Sequence, residues 1–449
     1  MTERELSYEI LYKIHINGEL SHIALKNALD DFDLKKLDIN KSFVSSLVNG
    51  VNERYLSLLY LISKQAGRPV GKIKPAVRIM LAMGVYQAYY MSVPESAACN
   101  ETVKLAVKRG FSGLKGFVNG VLRGMLRNIT DIDSFLDKEL ENEGLIKKLS
   151  IKYSCPEWLV EHYCKECGED KTEKILASCF EIKPLTVYGM TSAVTEEELS
   201  ACFGRDNIEV NKIEGVKSAY AILTPCNITS LEAYKKGYII VQDVSSMLAT
   251  EVLPEVKNGE ILDVCAAPGG KTVHCADRFK NSGCKVTARD LTAEKVGKIK
   301  DTLKRTGLNN VVTEVKDALI DYPDDVEKYD IVVADLPCSG LGVIGRKADI
   351  KYKTRPEDIK ELADIQRKIL ETVTSYVKPG GYLAYSTCTV AKRENNENGQ
   401  YIISRGFKPA SIEERLDDGF KQYLVSSNSL QLLPDREHDG FYISLYKKN

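Results

Sequence analysis

No apolar run in this chain approaches the ~20 residues needed to cross a bilayer. Its first residues, MTERELSYEILYK, scatter charge where a secretion signal would carry an apolar segment. The two absences together lead us to expect a cytoplasmic protein with no membrane partner. Histidine is scarce, five in 449 residues, which weighs against a metal centre. Cys164 and Cys167 (CKEC) have the spacing of half a zinc site. No second pair or histidine cluster follows at ligand spacing, and a structural zinc needs four ligands. No metal is expected. The twelve cysteines, without a secretion signal, should be reduced thiols.

Net charge is also nearly missing, at −1, but it is unevenly spread. Residues 1–130 hold 18 Lys and Arg against 11 Asp and Glu, hence +7, and the remainder carries −8. A basic module on a slightly acidic body suits a polyanionic partner, although a solvated helical surface explains +7 nearly as well. The 43% apolar and 28% charged content is that of a soluble globular protein. At 449 residues, two to four domains are expected.

Residues 1–130 space their apolar side chains at three and four, as in ELSYEILYKIHI and PAVRIMLAMGVYQAYYM, which predicts an all-α domain. The charged stretch DIDSFLDKELENEGLIKKLS reads as a linker. From about 150 to 235, WLVEHYCKEC and KTEKILASCF read as helices. LTVYGM, IEVNKI and AYAILTP read as short strands, so a small α+β module, a split βαβ, is expected. From about 236 the pattern becomes strand, turn, helix: GEILDVCAAPGGK, CKVTARD, NVVTEVKD, YDIVVADLP, GGYLAYSTC. That alternation predicts a mostly parallel, doubly wound sheet, with ligands at the carboxyl ends of its strands.

ILDVCAAPGGKT passes from a strand into a Gly-rich turn in which Gly269 and Gly270 let the backbone approach a ligand closely. GGKT resembles the end of a P-loop, and IVVAD the magnesium-binding strand of an NTPase. A P-loop, however, needs a glycine where Cys265 stands, and Pro268 removes a backbone donor from it. Asp290 ends the next strand about 20 residues on, placed for ribose hydroxyls, and Asp317 ends a third, placed for an adenine amino group. Either aspartate alone is more often a helix cap. In series after the Gly-rich turn, with no phosphate clamp, they favour S-adenosylmethionine.

Two cysteines, Cys338 in DLPCSG and Cys388 in STCT, end the fourth and fifth strands. A lone cysteine is usually a small buried hydrophobe. Two at the ligand edge, beside Asp335, point to chemistry. Carbon 5 of cytosine is too weak a nucleophile to attack a methylsulfonium directly. A thiolate added to carbon 6 makes it enamine-like, a carboxylic acid near ring nitrogen 3 favours the addition, and a second polar group serves product release. Asp335, Cys338 and Cys388 can fill these roles, in an order that spacing leaves open.

LDVCAAPGGKT, DLPCS and YSTCT resemble the motifs of the Sun/Nop2 family of RNA cytosine-5 methyltransferases. YIIVQDVSSMLA and HDGFYISLYKK match that family's flanking motifs. MLAMGVYQ, VPESAACNETVKLAV and GFVNGVLRGMLR resemble the NusB-type RNA-binding domain, which one bacterial 16S rRNA branch fuses to this catalytic part. The resemblance implies three modules: a NusB-like all-α domain (1–140), a small α+β module (141–235) and a Rossmann-like methyltransferase domain (236–449). It makes Cys388 the nucleophile and Cys338 the group that assists product release, with Asp335 and Lys271 as further catalytic candidates. For the cofactor, S-adenosylmethionine, it implies contacts from Cys265, Ala266, Ala267, Pro268, Gly269, Gly270, Lys271, Asp290, Asp317 and Asp335. The implied partner is 16S rRNA or a small-subunit assembly intermediate, with no obligate protein partner.

Where the family often reads RRHPDIKW this chain has GRKADIKYK (345–353), a candidate RNA contact. The usual PEEN reads KREN and keeps only Glu394 and Asn395. Two alternatives compete: a non-catalytic RNA-binding scaffold, opposed by the joint presence of Asp335, Cys338 and Cys388, and the NTPase, opposed by Cys265 and Pro268.

Overall fold

The computed structural model of the chain describes residues 1–30 and 39–449, in two compact units, 1–180 with 346–354 and 181–345 with 355–449.

The first unit is helical throughout. Helices Glu3–His15, Lys41–Glu53, Tyr55–Ala66, Pro75–Tyr90, Glu95–Lys108 and Lys115–Asn128 bury the side chains that the three-four spacing selects, among them Leu11, Leu47, Met80 and Met125. Close helix crossing decides one glycine: a Cβ on Gly50 would stand 1.9 Å from the Tyr86 ring. The stretch read as a linker is instead two helices, Ile132–Glu139 and Leu145–Lys152. Asp131 caps the first by accepting from the Ser134 amide, and Ile132, Leu136 and Leu149 are buried. Surface charge had masked a narrow apolar stripe.

Residues 346–354 complete this unit. Asp349 accepts hydrogen bonds from the amide and hydroxyl of Ser21, both at 3.0 Å. Lys351, 1% exposed, donates to the Glu53 carbonyl, and the Tyr352 hydroxyl donates to the Ser154 carbonyl. The segment expected to touch RNA is thus tied into the helical unit through Asp349, Lys351 and Tyr352.

His15 stacks on Tyr55 at 3.7 Å, and burial pushes its imidazole down to about 4, with Lys353 adding to the effect and Asp349 opposing it. The unfolded chain takes up this proton below pH ~6.5, whereas the folded one resists it until about 4. Stability contributed here is therefore intact above pH ~6.5 and lost on acidification, by about 3 kcal/mol in total. His15→Phe is expected to flatten the loss between pH 6.5 and 4, read by chemical denaturation at several pH values.

The second unit holds two sheets. Strands β1 (Leu185–Gly189), β2 (Val210–Lys212), β3 (Ala219–Ile222) and β4 (Ile239–Val241) form an antiparallel sheet in the order β2-β3-β1-β4. Helix Glu196–Arg205 joins β1 to β2 with β3 between them, which is the expected split βαβ. The helices read before these strands, Glu157–Cys167 and Glu169–Ser178, group with the first unit.

The larger sheet comprises β5 (Glu260–Asp263), β6 (Lys285–Asp290), β7 (Val311–Val315), β8 (Tyr329–Asp335), β9 (Val377–Thr387), β10 (Phe407–Pro409), β11 (Leu424–Ser426), β12 (Ser429–Leu432) and β13 (Phe441–Lys448). Its order is β11-β12-β13-β9-β8-β5-β6-β7, with β10 paired to β13. The run β7-β6-β5-β8-β9 is parallel, as the buried apolar strands predict. Strand order reverses at β5/β8, the switch point where such sheets bind ligands. β13 runs antiparallel to β9, with Tyr442 opposite Thr387, so the start of β13 lies beside the end of β9. Among the described residues no helix is long and apolar enough to cross a membrane.

Candidate active site

Between β5 and the helix Gly270–Arg278 the chain makes the Gly-rich turn. Gly269 caps that helix at φ +111°, a backbone conformation that L side chains rarely adopt. Asp290, at the end of β6, holds the turn by accepting from the Ala267 amide at 2.9 Å with one oxygen and from the Leu291 amide at 2.8 Å with the other. The Asp317 carboxylate, after β7, is half-buried and accepts from the Leu319 amide. Cys265 is also half-buried, and burial pushes its thiol well up, so it is a poor nucleophile.

Sequence reasoning did not single out Asp263. It is buried at the end of β5; one oxygen accepts from the Thr272 hydroxyl at 2.6 Å, and the other has no hydrogen-bond partner. Burial raises its carboxyl to about 7. The bond also bears on the NTPase reading. The hydroxyl a P-loop would offer to magnesium is buried against Asp263, and Lys271 is paired with Asp335.

At the ends of β8 and β9 the expected side chains converge. Lys271 Nζ lies 2.7 Å from one oxygen of Asp335, and the Ser386 hydroxyl donates to the other at 2.7 Å. Burial opposes the Lys271 ammonium, but the charge of Asp335 and its hydrogen bond, with smaller contributions from Asp263 and Cys388, keep it raised. Phe441, the first residue of β13, presents its ring 5.0 Å from that ammonium.

The sulfurs of Cys338 and Cys388, both half-buried, are 3.1 Å apart. The hydrogen bond to Cys388, and then burial, hold the Cys338 thiol far above its usual range. Either sulfur can be the donor in that contact.

Two residues recognised only as family survivors turn out to brace both cysteine loops. Glu394, fully buried, accepts from the Ser339 amide at 2.9 Å and from the Ser339 hydroxyl. Asn395 accepts from the Thr387 hydroxyl at 2.6 Å and donates to the Thr389 carbonyl. The Gly342 amide donates to the Cys388 carbonyl, and the Gly440 amide to the Gly342 carbonyl. A Cβ on Gly342 would lie 2.0 Å from the Gly440 oxygen, so no side chain fits there. KREN hinted at Glu394 and Asn395, and HDGFYISLYKK contains Gly440 and Phe441 without giving them a role, but nothing in the local pattern pointed to Gly342.

Cys164 and Cys167 lie near the end of the helix Glu157–Cys167. They are outside the one group of three clustered metal-ligating atoms among the described residues, Glu198, Cys202 and Glu232. Arg205 pairs with both of those carboxylates.

A parallel sheet with a Gly-rich turn at its switch point and carboxylates along its carboxyl edge, preceded along the chain by a helical domain, defines a Rossmann-like methyltransferase joined to a NusB-like domain. Residues 250–447 match the family described as 16S rRNA methyltransferase RsmB/F, and residues 1–127 match the NusB family. A relative from Bacillus subtilis (strain 168), a probable ribosomal RNA small subunit methyltransferase B, is 34% identical over 99% of this chain and 98% of its own length. The chain belongs to the RsmB/F family. Among solved structures, PH0851 superimposes with a TM-score of 0.79 at 24% identity, covering 100% of this chain and 99% of its own. NSun6 from Pyrococcus horikoshii with SFG does so with 0.57 at 21% identity, covering 65% and 98%. Both are likenesses of fold.

Proposed function

We propose that this chain methylates carbon 5 of a cytosine in 16S rRNA, with S-adenosylmethionine as methyl donor and Cys388 as covalent nucleophile. One observation carries the reading: two cysteine sulfurs 3.1 Å apart at the carboxyl edge of the sheet, in loops tied through Ser386 to the Lys271–Asp335 pair. The names of the relatives support small-subunit rRNA as the substrate. The NSun6 structure holds SFG, an analogue of S-adenosylmethionine, which supports the cofactor.

The residues present fit that cofactor. Asp263 has a buried oxygen without a partner, and the Gly269 conformation keeps side chains out of the turn. Cys265 to Lys271 would form the cradle, with Asp290 offering its remaining lone pairs to ribose hydroxyls and Asp317 facing adenine. When bound, S-adenosylmethionine supplies an electrophilic methyl group.

The chain's own groups do the rest. The Cys388 thiolate adds to carbon 6, breaking the 5,6 double bond and moving its electron pair towards carbon 5 and the ring carbonyl. The Lys271 ammonium, held by Asp335, which the Ser386 hydroxyl fixes in turn, stabilises the charge that develops on the ring. Forming the carbon–sulfur bond removes the hydrogen bond and charge of Cys388 that, together with burial, had raised the Cys338 thiol. Cys338 can then lose its proton to solvent and act as base. After methylation it takes the proton from carbon 5, the 5,6 double bond reforms, and Cys388 leaves as thiolate.

The direct test incubates the protein with radiolabelled S-adenosylmethionine and unmodified 16S rRNA, or a small-subunit assembly intermediate, then digests the RNA for nucleoside chromatography. Label is expected in 5-methylcytidine; label in another nucleoside would sink the two-cysteine mechanism. Glu394→Ala leaves the buried Ser339 amide without its acceptor, a cost of about 1–3 kcal/mol. Thermal unfolding is expected to show that loss. Displacement of the Cys338 loop is expected to slow transfer about 10- to 100-fold.

A further inference from the structure

A cavity of about 1090 Å³ opens within the second unit, and neither Cys338 nor Cys388 lines it. One wall comes from the small sheet and the segment leading into it, including Lys183 and Ala221, and the other from residues 419–423 and 436–438. Its size exceeds a small-molecule site and suits one or two nucleotides. The proposed reaction uses none of these residues.

Three features indicate what enters. Phe420 and Tyr423, both half-buried, line the cavity with aromatic surface. His438, only 3% exposed, also lines it, and its Nε2 has no hydrogen-bond partner. That ring stands edge-on to Tyr423 at 5.3 Å, and its Nδ1 is 3.2 Å from Asp435 without an aligned hydrogen bond. A buried polar nitrogen left unsatisfied costs stability unless a ligand meets it. Arg436 is exposed and lines the cavity too, offering a cation where a phosphate would pass.

The cavity is also coupled to the catalytic cluster along the chain. Lys183 donates to the His438 carbonyl and pairs with Asp439 at 2.9 Å, both side chains buried. Gly440 then bonds Gly342 beside Cys388, and Phe441 faces Lys271. His438 and Phe441 are three residues apart, a span of at most ~10 Å, comparable to the step between adjacent nucleotides in a splayed strand.

We propose that this cavity, resting on the reading of the chain as an RNA methyltransferase, binds the base of an unpaired nucleotide flanking the target cytosine. The base stacks against Phe420 and Tyr423, His438 Nε2 hydrogen-bonds its edge, and Arg436 neutralises its phosphate. Enzymes that extract a base from a stack read neighbouring nucleotides in this way, and unstacked bases of RNA are held by aromatic faces.

The test measures equilibrium binding of unmodified 16S rRNA without S-adenosylmethionine, which separates it from catalysis. Tyr423→Ala and His438→Phe are each expected to weaken binding about tenfold, while Tyr423→Phe, which keeps the ring, binds like the parent. Melting temperatures of all three identify any variant that fails to fold. Ultraviolet crosslinking of the parent complex is expected to attach a nucleotide adjacent to the methylated cytosine to a peptide within residues 417–442. A crosslink elsewhere, or one to a distant nucleotide, would overturn the assignment, as would unchanged binding by folded Tyr423→Ala. Loss of 5-methylcytidine formation with the crosslink intact would instead refute the reaction and leave the RNA site standing.

Discussion

Cys388→Ala is expected to abolish methyl transfer, by at least about four orders of magnitude, while S-adenosylmethionine still binds. The magnitude follows from the chemistry. Without addition at carbon 6, carbon 5 has no enamine character, and neither remaining thiol of the site can replace the lost nucleophile. Cys265 has its thiol raised by burial and belongs to the Gly-rich turn, and Cys338 stands on a separate loop that Glu394 fixes through Ser339. Single-turnover transfer of labelled methyl to 16S rRNA, with cofactor binding by calorimetry on the same preparation, checks both halves. Transfer retained within tenfold of the parent would remove Cys388 from the nucleophile's role.

Cys338→Ala is expected to do something different: addition and methylation proceed, but the proton on carbon 5 stays and Cys388 cannot leave. The protein should then migrate as a covalent RNA adduct on a denaturing gel, with turnover reduced by about 10²–10⁴, the range for losing a general base. Because the sulfurs are 3.1 Å apart, the two substitutions probe one place with opposite readouts. An adduct with Cys388→Ala and none with Cys338→Ala would reverse the roles. Absence of an adduct from both, with labelled 5-methylcytidine still formed by the parent, would mean that release does not pass through Cys338.

Much of this arrangement could be read along the chain. Strand, turn and helix repeat from Glu260 to Thr387, and β6, β8 and β9 carry Asp290, Asp335 and Cys388 at or just past their ends, while Asp263, which ends β5 in the same way, was passed over. Such a pattern is local, because a buried parallel strand must be apolar throughout and its ligand edge is where polar residues return. The helical period in residues 1–130 was legible for the same reason. Where charge was dense the signal failed, and residues 131–150 read as a linker although Ile132, Leu136 and Leu149 are buried. A stripe of a few apolar side chains needs only one face, and composition averages over all faces.

The sequence by itself determined which elements form and which chemical groups stand at their ends, since period and turn chemistry act over a few residues. Only the tertiary structure decided what those groups meet. Cys338 and Cys388 are 50 residues apart, Ser339 and Glu394 55, and Lys271 and Asp335 64. Their contacts depend on strand register and on β13 folding back beside β9, which brings Gly440 against Gly342 and Phe441 over Lys271. The segment 346–354 is the sharpest case. Lys351 and Asp349 spend their polar groups on Glu53 and Ser21, some 300 residues earlier. Burial of a charged side chain is tolerable only where partners wait, and no local pattern records a partner so distant.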